Sequence, residues 1–187
     1  MRRRAAALAV VALIGSGCTS SHGNLPGCNR PDDSVFALIA QSVPSATQIP
    51  CIKDLPVGWN LSGTDIRDGQ TRLWLDSTIA GVHAVEVDLQ ASCEVDEAVE
   101  VPPAPDEVGM RPYVRSDLPP GFSGVRFLLF EGGCVAYRYH FRGSAPPTLA
   151  LEAEEALSFL PRTTIVDQVQ HDVDQILCGA DAPPCEE

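Results

Sequence analysis

Val125-Arg126-Phe127-Leu128-Leu129-Phe130-Glu131-Gly132-Gly133-Cys134-Val135-Ala136-Tyr137-Arg138-Tyr139-His140-Phe141 reads as two apolar strands joined at a pair of glycines. A three-residue loop, Glu131-Gly132-Gly133, pairs Phe130 with Cys134, Phe127 with Tyr137 and Val125 with Tyr139. In that register Val125, Phe127, Leu129, Val135, Tyr137 and Tyr139 share one face. Leu128 and Phe130 remain on the other face, so part of it also needs a cover. Ahead of the hairpin stands Asp117-Leu118-Pro119-Pro120-Gly121-Phe122. The same layout occurs 63 residues earlier: Asp54-Leu55-Pro56-Val57-Gly58-Trp59, a weak strand Asn60 to Arg67, the turn Asp68-Gly69, and an alternating strand Thr71 to Ser77. Segments 54–76 and 117–139 therefore read as an internal repeat of a turn and a hairpin, with Trp59 matched to Phe122, Gly69 to Gly132 and Trp74 to Tyr137.

Between the repeats, Val82 to Cys93 is the clearest strand, with His83, Val85, Val87, Leu89 and Ala91 on one face. Glu94 to Gly109 holds six acids, three prolines and no aromatic residue, which predicts an exposed connector; Met110 to Ser116 is a further candidate strand. After the second repeat, Pro146-Pro147 opens a helix with Leu149, Ala153, Ala156, Leu157 and Leu160 on one stripe. Pro161 ends it. Thr163-Thr164 with Asp167 reads as a capping box for a second helix carrying Ile165, Val169, Val173, Ile176 and Leu177, stopped at Gly179. The fold class is α+β: an antiparallel sheet from two repeated hairpin units with two C-terminal helices packed on one face. A short helix from Val35 to Ala40, capped by Asp32, Asp33 or Ser34, precedes the sheet.

The first residues stand apart from this domain. Arg2, Arg3 and Arg4 precede an apolar run from Ala5 to Ile14, too short to span a bilayer as a helix, and the small residues Gly15-Ser16-Gly17 lead to Cys18. This segment resembles the signal peptide of bacterial lipoproteins, with Gly15-Ser16-Gly17-Cys18 in the place of the lipobox; the family usually has Leu where Gly15 stands. The resemblance covers only about the first twenty residues. It implies cleavage after residue 17 and acylation of Cys18, palmitate included, with the protein held at the extracytoplasmic face of the cell membrane. The alternative is an ordinary secretory signal with Cys18 as a spare thiol. The division that follows is 1–17 signal peptide, 18–27 flexible tether, 28–178 one domain and 179–187 tail.

Six cysteines remain besides Cys18: Cys28, Cys51, Cys93, Cys134, Cys178 and Cys185. An even number in an exported chain implies disulfides. Short loops favour Cys28–Cys51 and Cys178–Cys185, leaving Cys93–Cys134. By strand parity Cys134 and Cys93 fall on different faces, so the last pairing needs a twist or bulge. No C-x-x-C is present, which argues against zinc and thioredoxin-like chemistry, and no metal or cofactor is expected. Loss of Arg2, Arg3 and Arg4 takes the formal charge from −12 to −15, a balance that repels nucleic acid and anionic lipid, so membrane attachment would rest on acyl chains.

Candidate site residues are few. Arg138, His140 and Arg142 alternate on one strand face with Arg126 expected opposite Arg138, and Trp74 is the likelier surface aromatic. Arg126, Arg138, His140, Arg142 and Trp74 form the candidate binding set, for a small anionic ligand or an envelope protein. The competing reading pairs these cations with Glu86 and Asp88 across the sheet. Trp59 reads as a core plug. A catalytic residue is not identifiable: G-x-S-x-G is absent, and only His83 and His140 could serve a small extracytoplasmic hydrolase. The function expected from sequence is a non-enzymatic ligand- or protein-binding lipoprotein of the cell envelope, with such a hydrolase as the alternative.

Overall fold

The computed structural model describes residues 26–30, 34–117 and 121–180. The signal segment, Cys18, most of the tether, the Asp32 and Asp33 caps, Leu118-Pro119-Pro120 and Cys185 lie outside the described residues.

The chain is α+β. Its elements are α1 (Ser34–Ser42), β1 (Gln48–Ile52), β2 (Trp59–Arg67), β3 (Gln70–Ser77), β4 (Gly81–Gln90), β5 (Val99–Glu100), β6 (Arg111–Asp117), β7 (Ser123–Phe130), β8 (Gly133–His140), α2 (Thr148–Ala156), β9 (Leu157–Pro161) and α3 (Arg162–Val173). Seven strands form one antiparallel sheet in the order β2-β3-β4-β8-β7-β6-β5, and β1 pairs with β9 in a second, two-stranded sheet. The main core lies on the face carrying Leu73, Leu75, Val85, Val87, Leu89, Val135, Tyr137 and Tyr139, with Phe36, Ile39 and Ala40 of α1, Leu149 and Ala153 of α2 and Ile165 of α3 packed into the same cluster. Arg162, 1% exposed at the start of α3, joins α1 to the segment after α3. It donates from Nη1 to the Ala40 carbonyl at 2.6 Å and from Nη2 to the Cys178 carbonyl at 2.5 Å.

The hairpin register differs from expectation. Phe130 pairs with Gly133, Phe127 with Ala136 and Arg126 with Tyr137, so the loop is the two residues Glu131-Gly132. Gly132 takes the positive φ of +71° at its second position. The first hairpin is built the same way: Arg67 pairs with Gln70 around Asp68-Gly69, with Gly69 at φ +79°. The shift by one residue changes the face of every β7 side chain. Arg126 and Leu128 turn toward the main core beside Tyr137 and Val135. Val125 and Phe127 lie on the other face with Ala136, under a small cluster that includes Cys93, Val95, Ala98, Tyr113 and Leu129.

The two hairpins also present opposite faces. Strands β3 and β8 are both antiparallel to β4 and flank it, so they run parallel to each other. The order β2-β3 on one side and β8-β7 on the other relates the copies by a half-turn about the strand direction. Positions matched at an offset of 63 therefore exchange faces: Leu73 is in the main core and Ala136 in the small cluster, while Trp74 is on the polar face and Tyr137 in the main core. Trp59 and Phe122 both reach Phe141, with ring centroids at 6.5 and 5.1 Å, and Trp59 is buried as a core plug.

Three further expectations are corrected. The first C-terminal helix ends at Ala156, because Leu157–Pro161 takes up the backbone hydrogen bonds of β1, from Ile52 against Leu157 to Gln48 against Pro161. This tertiary pairing overrides the helical stripe that includes Leu160. Helix α3 starts after Pro161 with no side-chain cap, so the Thr163-Thr164-Asp167 box does not form, and it ends at Asp174 in a left-handed conformation, with Val173 and Ile176 exposed. The acidic connector is not wholly exposed: Val95 and Ala98 cover the small cluster, Val99–Glu100 extends the sheet as β5, and Glu107 is buried.

Two disulfides join the expected pairs, Cys28–Cys51 and Cys93–Cys134. The parity conflict at the second disappears because β4 ends at Gln90, opposite Cys134, and a bend at Ala91 takes the chain out of strand alternation before Cys93. Disulfides persist in oxidising, extracytoplasmic compartments. Among the described residues no helix is long and apolar enough to cross a membrane.

Candidate functional site

The polar face of the central strands gathers part of the expected basic set. Register places Arg72 beside Asp88 and Trp74 beside Glu86 across β3–β4, and Arg138 beside Glu86 across β4–β8. Asp88, with a side chain 1% exposed, accepts from Arg72 Nε at 2.7 Å, Arg138 Nε at 3.1 Å and Gln70 Nε2 at 3.1 Å. Glu86 accepts from Trp74 Nε1 at 2.9 Å and lies 3.1 Å from Arg72 Nε. Arg138 is therefore engaged within the sheet, as the cross-strand reading expects of it, and Trp74, expected at the surface, is held by Glu86. The carboxylate of Asp88 raises the Arg72 pKa, through its hydrogen bond first, against the opposing effect of burial.

The other expected site residues are dispersed. Arg142 lies beyond the end of β8, its side chain stacked over Gly81. His140 is exposed and borders a depression of about 170 Å³ with Arg115, Asp117 and Arg138. Among the described residues no hydrogen bond or ion pair joins the His140 ring to an acid. His83 is not on the apolar face: its φ of +50°, beside the irregular pairing of Leu75–Ser77 with β4, turns it outward to stack on Trp74 at 5.5 Å.

Arg126 is the residue whose surroundings differ most from expectation. The observed register carries it to the helix-covered face, away from Arg138. Its Nη2 donates to both oxygens of Glu107, at 2.7 and 2.9 Å, and its Nε lies 3.7 Å from Glu154 of α2. The three side chains are 12%, 10% and 24% exposed respectively. Tyr139 donates to Glu154 Oε1 at 2.5 Å. Burial works to lower the Arg126 pKa, but the Glu107 hydrogen bond and the charges of Glu154 and Glu107 outweigh it and raise the value. Glu154 is raised, by burial first and by the Glu107 charge, while Tyr139 and Arg126 oppose the shift. Burial also pushes the phenols of Tyr137 and Tyr139 far up, so both stay neutral at ordinary pH.

Arg126, Glu107, Glu154 and Tyr137 line one side of a cavity of about 340 Å³ between α2, β9 and residues 104–107. Leu151, Leu157 and Phe159 supply apolar wall, and Lys53, 3.3 Å from Asp106, stands at the rim. A cavity of this size with an apolar wall and a few converging polar groups suits a small molecule. Among the described residues no group of three His, Cys, Asp or Glu side chains is arranged to hold a metal ion.

Sequence reasoning missed Glu107, Glu154 and Tyr137 as site residues. One signal was available for Glu154: it follows the buried Ala150 by four residues, on the inward side of α2. Another was the repeat itself, since the Asp68-Gly69 loop carried forward by 63 positions gives the observed Glu131-Gly132 loop and hence the face of Arg126. Comparison with known protein families, with curated proteins and with solved structures returned no match.

Proposed function

We propose that this chain is an extracytoplasmic lipoprotein, anchored through acyl chains on Cys18, whose domain is a non-enzymatic module binding a small ligand in the cavity beside Arg126. The observation that carries the binding reading is the cavity of about 340 Å³, with a buried ion cluster on one wall and apolar side chains on another. The lipoprotein-like segment ending at Cys18 supports the anchor, and the two disulfides agree with residence in an oxidising compartment. The basic row is a weaker candidate for an anionic ligand, because Arg138 is engaged by Asp88.

Two measurements test this. Wild type extracted from its own membranes should carry the mass of acyl chains and partition into detergent, and Cys18→Ser should do neither; equal partitioning refutes the anchor. Native mass spectrometry of the extracted protein should show a small-molecule adduct that Leu151→Trp, at the cavity mouth, diminishes. An adduct indifferent to that substitution, or none, refutes the binding reading.

A further inference from the structure

The ion cluster in the cavity is unbalanced. Arg126 supplies one positive charge to two carboxylates, Glu107 and Glu154, all three largely withdrawn from water. At the rim Lys53 and Asp106 offset each other. Glu155, exposed, adds a further carboxylate to the lining, and the one negative charge that Arg126 leaves unbalanced on Glu107 and Glu154 sits where the reduced dielectric strengthens its field. A second observation points the same way. Tyr137 is 3% exposed and lines the cavity, yet among the described residues no group hydrogen-bonds its hydroxyl. The buried unpartnered atom of this cluster is Arg126 Nε, 3.7 Å from Glu154, whereas the Tyr137 hydroxyl oxygen is open to the cavity, where it can accept from a ligand donor.

Resting on the reading of this cavity as a ligand site, we infer that its ligand is a monocation, a primary ammonium on a short apolar body. The ammonium is seated between the Glu154 carboxylate and the Tyr137 hydroxyl, with the body against Leu151, Leu157 and Phe159. An ammonium brings three donors and one charge. Glu154 Oε1, which already accepts from Tyr139, accepts one donor on its remaining lone pair while Oε2 stays near Arg126, and the Tyr137 oxygen accepts a second. The added charge brings the cluster to two cations and two carboxylates. A carboxylate ligand would instead meet Glu154 and Glu107 with like charge, and a neutral alcohol would leave the imbalance in place.

Calorimetric titration of the full, detergent-extracted protein with phenethylamine, 2-phenylethanol and 3-phenylpropionate tests this, since the three share one apolar body. Phenethylamine should bind, with the alcohol and the carboxylate at least about tenfold weaker. Glu154→Gln should weaken phenethylamine by about ten- to a hundredfold, as loss of a charge-assisted hydrogen bond does. Tyr137→Phe should weaken it by a smaller factor, and it gives an independent readout should Glu154→Gln fold poorly. If the alcohol or the carboxylate binds as tightly as the amine, and Leu151→Trp blocks it, the monocation inference falls while the cavity stands as a ligand site. If none of the three binds, both fall.

Discussion

Arg126 of β7 and Glu107, nineteen residues earlier, face each other as a two-pronged pair: one guanidinium nitrogen lies 2.7 and 2.9 Å from the two carboxylate oxygens. The pair draws residues 104–107 against the sheet, and Glu107 Oε2 also accepts from the Ala104 amide at 2.8 Å, closing the turn on itself. One wall of the cavity thus depends on a charge pair taken largely out of water.

Arg126→Met removes the only cation from this cluster and leaves two buried carboxylates facing each other. Breaking a buried pair from one side typically costs about 3–5 kcal/mol. Urea unfolding should show a loss of that order. Adding Glu107→Gln to Arg126→Met should restore part of it, because the surviving repulsion goes. A double variant less stable than the single one by the full cost of Glu107→Gln would mean that the two side chains act independently.

Glu154 gives a pH dependence of definite sign. Burial first, then Glu107, hold its carboxyl above the ordinary 4.5, against Tyr139 and Arg126. The folded chain therefore binds this proton more tightly than the unfolded chain. That contribution is fully present below the unfolded value and is lost as pH rises through the raised folded value. The charged or titratable groups facing Glu154 are Arg126, Glu107, Tyr137 and Tyr139, and both phenols stay neutral across this range. Wild-type stability relative to Glu154→Gln should fall as pH rises from below 4.5 toward neutrality. A difference that stays flat, or grows, would show that Arg126 dominates the energetics of the carboxyl.

Much of the fold was legible because strand alternation and turn residues act locally. Leu73 and Leu75, Val85 to Leu89, and the Asp68-Gly69 turn identify their strands and faces without tertiary information. The cavity was not legible, for two physical reasons. Gly132-Gly133 offers two loop lengths of similar local cost, and a single residue of slip decides whether Arg126 meets Arg138 or Glu107. The strand Leu157–Pro161 exists only because β1 presents unpaired backbone to it, a long-range fact that periodicity does not carry. The acidic connector misled for a related reason: composition reports average exposure, whereas Glu107 is buried by one specific partner.

The Cys28–Cys51 and Cys93–Cys134 disulfides close segments of different length, with sequence separations of 23 and 41. Chain-entropy reasoning assigns about 3.4 kcal/mol to the first and about 3.9 kcal/mol to the second. Double Cys→Ser variants compared by denaturant unfolding should lose stability in that order. An inverted order would locate the effect in folded-state packing, at odds with Cys93 covering Val125, Phe127 and Ala136.

Asp88 should matter far more than either arginine that holds it. Asp88→Ala leaves Arg72 and Arg138 partly hydrated but also opens a buried polar gap and strands Gln70, a loss of about 3 kcal/mol. Arg138→Gln leaves Asp88 with Arg72 and Gln70, so it should cost about 1 kcal/mol or less. Equal losses on thermal unfolding would show that Arg138 has a structural duty beyond its bond to Asp88.

The two hairpin loops permit a controlled substitution. Gly69 and Gly132 occupy the same loop position with similar φ, +79° and +71°. Alanine is strained at either, by about 1–2 kcal/mol for a left-handed conformation. Their surroundings differ. A side-chain carbon at Gly69 meets nothing within 4 Å, whereas at Gly132 it would come within 1.8 Å of the Ser45 carbonyl oxygen. That approach belongs to a clamp: Ser45 Oγ donates to the Gly132 carbonyl at 2.6 Å, and Thr47 donates to the Glu131 carbonyl from Oγ1 at 2.7 Å and from its backbone amide at 3.2 Å. Gly132→Ala must therefore open the contact between the hairpin loop and the segment linking α1 to β1, at a further cost of roughly 1–3 kcal/mol. Urea unfolding should rank Gly132→Ala clearly below Gly69→Ala. The amide of Thr47 should also lose hydrogen-exchange protection in Gly132→Ala alone. Matching losses for both variants would assign the whole effect to backbone strain and leave the clamp without energetic weight.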